Sequence, residues 1–484
     1  MRNSSKGKIL LINPNTIKPL IAPIGLDYVA ESLNKSGFTV EILDLALTFD
    51  KETAISDYFE KQKADIVGIT VRNTDDCYYA SQAFFIPQIR DIVEEIRKHD
   101  DAPIVLGGCS FSLMPRSIMH FCGADFGIKG EGEESFRQLA EVLIAGNDYS
   151  DIPGLVQKEN GDFKVNEPLY LELEKLDFGE REIIDNSRYF KEGGQGNIET
   201  KRGCNKGCIY CADPVIKGSK VRLRSPQSVA AEMERLHSEG IYCFHLCDSE
   251  FNNPLDHALA VCEEILDSSL AGEISWYAYA SPTPFSKNSA LLMKEAGCIG
   301  IDFGVDSGSD PMLAALGRDF TTEDVVKTAE ICNQVGVTFM YDLLIGGPGE
   351  SKETIKESIG LMKKINPSCV GISLGVRIYP GTKLEKMVKA EGLGEENENL
   401  LGSIENNEDF LRPIFYLSSN LGKHVGDFLD ELIGDDRKFF FANPKNRSRN
   451  YNYNENEVLV SAVQNGYRGA YWDILRRLGN EELF

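Results

Sequence analysis

Between Lys8 and about Gly146, short apolar runs alternate with amphipathic stretches. KILLIN, FTVEIL, DIVGITV, PIVLGG and DFGIKG have the length and content of buried strands, while Leu26, Val29, Ala30 and Leu33 recur at helical spacing and stop at Gly37. Strands alternating with helices predict a parallel sheet covered on both faces, so residues 1–150 read as a doubly wound α/β domain. A ligand of such a sheet lies beyond the carboxyl ends of its strands. Residues 151–194 break the alternation with KENGDFKVNEP and LEKLDFGERE, turn-rich and charged, and predict a linker carrying one hairpin. From 195 to 385 the alternation resumes. Strands are expected near Ile198 and in IYCFHLCD, ISWYAYA, GIDFGVD, VTFMYDLLIG and VGISLGVRI, with Ser225 and Pro226 placed to start the helix SPQSVAAEMERLHSEG. Six such units predict a partial (β/α) barrel, open along one side. From 386 to 484, acidic and asparagine-rich segments (EGLGEENENLLGSIENNEDF, NPKNRSRNYNYNENE) flank apolar helical stretches, which predicts a small, mainly helical cap.

A chain of 484 residues exceeds what one core organises, which agrees with several domains. The content, 42% apolar and 26% charged, is that of a globular protein. No apolar run approaches the roughly 20 residues that cross a bilayer, and MRNSSKGKILLINPN lacks the apolar core of a signal peptide; a cytoplasmic protein without a membrane span is expected. The formal charge of −24 repels phosphate backbones, and no basic patch interleaved with aromatics offsets it, which argues against nucleic acid as a partner. Twelve cysteines in a chain of this kind point to thiols and metal ligands rather than disulfides.

Three of these cysteines carry the chemistry. KRGCNKGCIYCADP spaces Cys204, Cys208 and Cys211 at i, i+4 and i+7, just after the first barrel strand. Three thiolates can hold three irons of a four-iron, four-sulfur cube and leave the fourth without a protein ligand. A structural zinc site closes with four ligands, and no further cysteine or histidine follows at suitable spacing. The spacing, with Tyr210 just before the third cysteine and strand–helix units after it, resembles the radical S-adenosylmethionine superfamily. The resemblance implies a [4Fe-4S] cluster, S-adenosylmethionine bound at the open iron, and a low-potential electron donor such as flavodoxin or ferredoxin. It implies that Asp248, Ser249 and Glu250 in CDSEFN meet the methionine amino group, and that Asp306 and Ser307 in GVDSG meet the ribose. Gly346, Gly347 and Pro348 in GGPGE would border the adenine, and Arg377 and Tyr379 in GVRIYPGT would lie near a carboxylate or the substrate. Cys243, His245 and Cys247 share one strand face but read as packing residues, as do Cys77, Cys109, Cys122, Cys262, Cys298, Cys332 and Cys369.

The first domain resembles the cobalamin-binding domain that precedes such barrels in cobalamin-dependent radical enzymes. The resemblance covers PIGLDYVAESL, GITVRN, VLGGCSFSLMP and KGEGEESF. Gly107 and Gly108 permit close approach of backbone to a bulky ligand, Ser110 and Ser112 can donate to a nucleotide tail or corrin amide, and Gly130 and Glu131 would border the same crevice. The D-x-H-x-x-G loop that supplies a lower cobalt ligand in many corrinoid proteins is missing, since His99 and His120 stand in other settings. Arg72, where the third strand ends, could stand under the corrin face without coordinating, or pair with Asp75 or Asp76.

These resemblances imply a Rossmann-like cobalamin domain, a radical barrel and a C-terminal cap, working as a class B methylase. In such an enzyme a 5'-deoxyadenosyl radical activates an unactivated carbon of a small molecule, lipid or peptide, methylcobalamin delivers the methyl group, and a second S-adenosylmethionine remethylates cobalt(I). Two alternatives stay open: a non-methylating cyclase or rrearrangement enzyme, like the anaerobic cyclase of bacteriochlorophyll synthesis, and a corrinoid or iron-sulfur sensor. Tyr416, Tyr467, Tyr471 and Trp472 either line a substrate cavity or pack against the barrel.

Overall fold

The computed structural model describes residues 5–176, 179–443 and 453–481. Asp177 and Phe178 of the expected linker, and 444–452 of the asparagine-rich run, lie outside the described residues. No helix among the described residues is long and apolar enough to cross a membrane.

The five expected strands of the front domain form as β1 (Lys8–Asn13), β2 (Thr39–Asp44), β3 (Ile66–Thr70), β4 (Ile104–Gly107) and β5 (Phe126–Ile128). They run parallel in the order β2-β1-β3-β4-β5. Strand alternation divides their side chains between two cores. Leu10, Ile12, Val67, Ile69, Ile104 and Leu106 pack with Ile89, Val93 and Ile96 of the helix Ile86–Arg97. Ile9, Leu11, Ile66 and Val105 face the opposite way, against Ala30 and Leu33 of Ile24–Lys35 and Phe136 and Leu139 of Gly132–Ala145. The expected hairpin is β6 (Leu155–Glu159) and β7 (Asp162–Val165), and it extends this sheet antiparallel to β5.

The second region builds β8 (Gly196–Ile198), a short antiparallel pair β9 (Lys201–Arg202) and β10 (Arg222–Leu223), then β11 (Cys243–Leu246), β12 (Ser275–Ala280), β13 (Cys298–Asp306), β14 (Thr338–Ile345) and β15 (Cys369–Leu374). Ser225 caps its helix as expected, accepting from the Ser228 N–H with Pro226 in the first turn. The chain then adds β16 (Val376–Arg377), β17 (Leu400–Gly402), β18 (Ile414–Tyr416) and β19 (Phe439–Phe441). The large sheet is parallel throughout, in the order β8-β11-β12-β13-β14-β15-β19. The six expected strands are therefore present, with β19 from the C-terminal region as a seventh; β16, β18 and β17 form a small antiparallel sheet of their own.

On the outer face of the barrel, Phe244, Leu246, Trp276, Ala278, Ile301, Phe303, Phe339, Tyr341 and Ile372 join the largest core with Met233, Val261, Met293, Ala329 and Ile359 from the covering helices. The alternate positions point inward and include the polar or aromatic His245, Tyr277, Tyr279, Asp302 and Asp342. The helix Tyr471–Glu481 closes the amino-terminal end of this interior, where Tyr277 donates to Asp473 at 2.7 Å and Trp472 packs edge-on against the Tyr277 ring. Tyr471 and Trp472, 7% and 3% exposed, are thus packing residues, and Tyr416 is buried in a separate small core.

Buried charge joins the two sheets. Arg181, in the connecting segment, places every N–H on a partner: Asp27 of the front domain at 2.6 Å, Glu232 of the barrel at 2.7 Å, Asn186, and the side chain and carbonyl of Asn197. Arg224 reaches the other Glu232 oxygen at 2.6 Å. Beside them, Arg202 and Arg222 bind Glu133 and Glu131 at 2.7 and 2.6 Å.

Candidate functional site

The cysteine loop begins at a position only glycine fits. Gly203 has φ +89°, and a Cβ there would lie 2.2 Å from the Lys220 carbonyl oxygen. The loop is then sewn to its surroundings by backbone bonds from Cys204 to Gly218, from Ile209 to Leu316 and from Leu384 to Ile209. Burial raises the thiols of all three cysteines, that of Cys211 to about 12. At Cys208 the Arg318 guanidinium, whose Nη1 lies 2.9 Å from the sulfur, works against that rise. Among the described residues no group of three His, Cys, Asp or Glu side chains converges on a single metal ion. Three free cysteines on one loop, a donor already aimed at one sulfur, and the buried Glu250 Oε2 without a hydrogen-bond partner suit an anionic cluster beside a ligand that brings donors.

The residues read from sequence as S-adenosylmethionine contacts divide into two groups. Glu250 stands beside the loop, 3.5 Å from Arg318 and 3.9 Å from Lys206. Asp306, at φ +67°, accepts from Tyr210 Oη and lies 3.4 Å from Arg318, so Tyr210 and Asp306 are brought together at the cluster loop. Gly346, φ +110°, opens a turn through Gly347 and Pro348 that Glu350 holds from within, accepting from the Gly346 N–H. The second group is engaged elsewhere. Asp248 is buried and accepts from the Thr200 N–H and hydroxyl and from the Lys201 N–H, which fixes the approach to the loop rather than a ligand amine. Ser249 donates to Asp213. Ser307 is fully buried with its hydroxyl against Ser358 at 3.0 Å, which removes it from a ribose.

Arg377, expected near a substrate carboxylate, meets a carboxylate of the protein instead. Its five N–H groups go to Asp75 and to the carbonyls of Ile378, Phe410 and Ile414, so it clamps the front domain to the barrel and has no donor left for substrate. Tyr379 stacks on that guanidinium and its hydroxyl lies 2.7 Å from Cys77 Sγ.

Asp75 being taken, Arg72 remains exposed at the end of β3, in a cavity of about 420 Å³ lined also by Asn15, Thr70, Asn73, Asp76 and Gln88. This is the carboxyl-end crevice expected of the front sheet. A Cβ on Gly107 would meet only the Ile128 carbonyl oxygen, at 3.9 Å, whereas one on Gly108, φ +102°, would lie 2.8 Å from the Val71 carbonyl oxygen, so Gly108 serves the turn. Ser110 donates to the Arg72 carbonyl; Ser112 donates to Gly108 and accepts from Gly130, and Glu131 is held by Arg222 and the Leu171 N–H. These side chains shape the crevice and do not reach into it.

Sequence reading missed Arg318 and the inner wall of the barrel. Tyr279 is 44% exposed although β12 is a central strand whose other face is core, so the interior is hollow at that level. Cys247, Cys109 and Cys77, read as packing residues, are exposed, and Arg72 acts electrostatically on Cys109, Cys247 and Tyr279 across the same space. Cys122, Cys243, Cys262, Cys298, Cys332 and Cys369 are buried as expected. The signal for the wall was available: an aspartate between Ile301 and Phe303, and another between Tyr341 and Leu343, in strands otherwise apolar.

A doubly wound sheet whose crevice opposes the hollow of a partial barrel, with a three-cysteine loop at the barrel mouth, defines a radical enzyme with a second cofactor domain. The Radical SAM superfamily model matches residues 198–362 and the B12 binding domain model residues 11–140. A tryptophan 2-C-methyltransferase of Streptomyces laurentii is 30% identical over 96% of this chain and 95% of its own. A methyltransferase of Pyrococcus horikoshii is 30% identical over 80% of this chain and 84% of its own. The radical S-adenosylmethionine methyltransferase TsrM from Kitasatospora setae, solved with tryptophan substrate and a S-adenosylmethionine analogue, shares 30% identity and superposes with a TM-score of 0.91 over 98% of both chains. The chain belongs to the cobalamin-dependent radical S-adenosylmethionine methyltransferases.

Proposed function

We propose that this enzyme moves a methyl group from S-adenosylmethionine, by way of cobalamin, to a carbon of a small molecule. The observation that carries the reading is the full-length likeness to TsrM, one of whose structures holds cobalamin and a [4Fe-4S] cluster and another tryptophan with a S-adenosylmethionine analogue. When bound, the cluster supplies single-electron chemistry and the corrinoid a methyl carrier. Cys204, Cys208 and Cys211 would hold the cluster, and Arg318 donates to the Cys208 sulfur, which favours its thiolate. Glu250, Asp306 and the Gly346–Gly347 backbone border the S-adenosylmethionine side of the hollow. Arg72 would put a positive charge beside the corrinoid at the crevice, and its guanidinium offers no lone pair to a metal. A low-potential donor in the cytoplasm, of the flavodoxin or ferredoxin kind, would reduce the cofactors.

Anaerobic protein reconstituted with iron, sulfide and cobalamin, then given methyl-labelled S-adenosylmethionine, should form labelled methylcobalamin and S-adenosylhomocysteine. Protein that binds zinc, or that forms neither product, refutes the reading.

A further inference from the structure

At the amino end of the barrel, the end opposite the cysteine loop, β11, β12 and β13 begin around a cavity of about 440 Å³. Tyr242 precedes β11, Ser275 is the first residue of β12 and Ile299 the second of β13; all three line the cavity, with the turn 465–468 and Arg477 of the last helix on its other side. Two features set this wall apart. Tyr242 and Ile299 are 47% and 44% exposed, although Cys243, Phe244 and Cys298 beside them in sequence are buried. Positive charge is also in excess. The charges that act on Cys243 in the wall are those of Arg477, Asp473 and Arg468. Asp473 is already shared, since Arg476 and Arg477 lie 2.7 and 3.2 Å from its oxygens and the Tyr277 hydroxyl donates to it. Arg468 has no carboxylate partner among the described residues, so three arginines answer one acid in a chain of formal charge −24.

The guanidinium of Arg468 is fixed in place. Its Nη1 donates to the Val463 and Tyr467 carbonyls at 2.9 and 2.7 Å, which holds the group over the Phe190 ring, and its buried Nε has no hydrogen-bond partner. Arg477 is held in turn by donating to the Asp473 and Arg468 carbonyls. A buried donor left unpaired is costly, and a guanidinium already oriented loses little entropy when it takes an oxyanion.

We infer that this cavity is a second ligand site, and that it takes a phosphate monoester of a small organic molecule. The dianion matches the two positive charges in excess, where a carboxylate would match one. The organic part lies on Tyr242 and Ile299 and removes their apolar surface from water. The inference does not depend on the methyltransferase reading, because no residue that lines this cavity lines the front crevice or belongs to the cysteine loop.

The test uses full-length protein loaded with its cluster and cobalamin, with saturating S-adenosylmethionine, titrated calorimetrically with phenyl phosphate, inorganic phosphate and benzoate. Phenyl phosphate should bind about tenfold or more tighter than either, because inorganic phosphate lacks the organic part and benzoate lacks one charge. Arg468→Gln should weaken phenyl phosphate about tenfold or more. Ile299→Glu should do the same by placing a negative charge in the wall, and its half-exposed position keeps the fold intact, so a failure of Arg468→Gln to fold leaves the test standing. Absence of binding, phenyl phosphate bound no tighter than inorganic phosphate or benzoate, or an affinity unchanged in Ile299→Glu overturns the inference.

Discussion

Replacing Arg181 by methionine should cost more stability than any exposed ion pair in the molecule. The side chain is fully buried, and its removal strands Asp27 and leaves Glu232 with Arg224 alone. Breaking a buried pair from one side costs about 3–5 kcal/mol, because the remaining charge stays desolvated. At about 1.4 kcal/mol per decade, that lowers the folding equilibrium by roughly two to four orders of magnitude. The exposed helical pair Arg188–Glu192 provides the control, where Arg188→Met should cost about 0.3–0.5 kcal/mol. The pH dependence carries a sign as well. In the wild type, burial pushes Glu232 up but Arg224 and Arg181 outweigh it and hold its pKa below the ordinary 4.5. Its contribution is therefore fully present above that value and is lost as pH falls through the depressed one. Asp27 is raised by burial in spite of Arg181, so ionising it already opposes folding as pH rises. Without Arg181 both carboxyls shift upward, and the gap between wild type and variant should widen from pH 4 towards pH 7. Urea unfolding across that range measures it. A cost under about 1 kcal/mol, or a gap that narrows with rising pH, would show that the network is not what holds the domains together.

Alanine at Cys204, Cys208 or Cys211 should abolish most of the iron and sulfide found after anaerobic reconstitution, while Cys247→Ala and Cys109→Ala should retain both; metal analysis decides. Gly203→Ala should lose the cluster as well, since its φ of +89° and the Lys220 carbonyl exclude a Cβ, and near-normal iron content would refute that geometry. Arg318→Ala removes a donor from the Cys208 sulfur, so the cluster midpoint should move to a more negative potential in spectroelectrochemistry; no shift would place Arg318 outside the cluster environment. Arg377→Ala breaks the Asp75 clamp and should cost about 3–5 kcal/mol in unfolding while changing product specificity little, against the expectation for a substrate ligand.

Alternation of apolar runs was enough to read eleven parallel-sheet strands correctly in kind, because each of these strands is buried on at least one face. β19 escaped it: FFF is three residues long and reads equally as the end of a helix, and its strand identity comes only from the edge of β15. The cysteine loop was legible because its ligands are close in sequence. Arg377 was misread because its partner, Asp75, lies 302 residues away, and nothing local distinguishes a guanidinium that waits for substrate from one clamped by a distant carboxylate. Asp248, Ser249 and Ser307 show the same limit on a shorter scale: a strand end was correctly found, but the direction of each polar side chain depends on what the next element offers it.

The same distinction separates the crevice from the hollow. Nearly every polar side chain of the front crevice that sequence proposed as a ligand turns back into the protein, leaving backbone, small residues and Arg72 to meet a large cofactor. The barrel interior is the reverse, with an orphaned carboxyl, two aromatic rings and a floor closed by Trp472 and the Tyr277–Asp473 hydrogen bond. Asp302 lies four residues before Asp306 at the cluster end of the same strand, a rise of roughly 13 Å at strand spacing. That distance separates the polar wall of the hollow from the Tyr210 and Arg318 contacts of Asp306 at the cysteine loop.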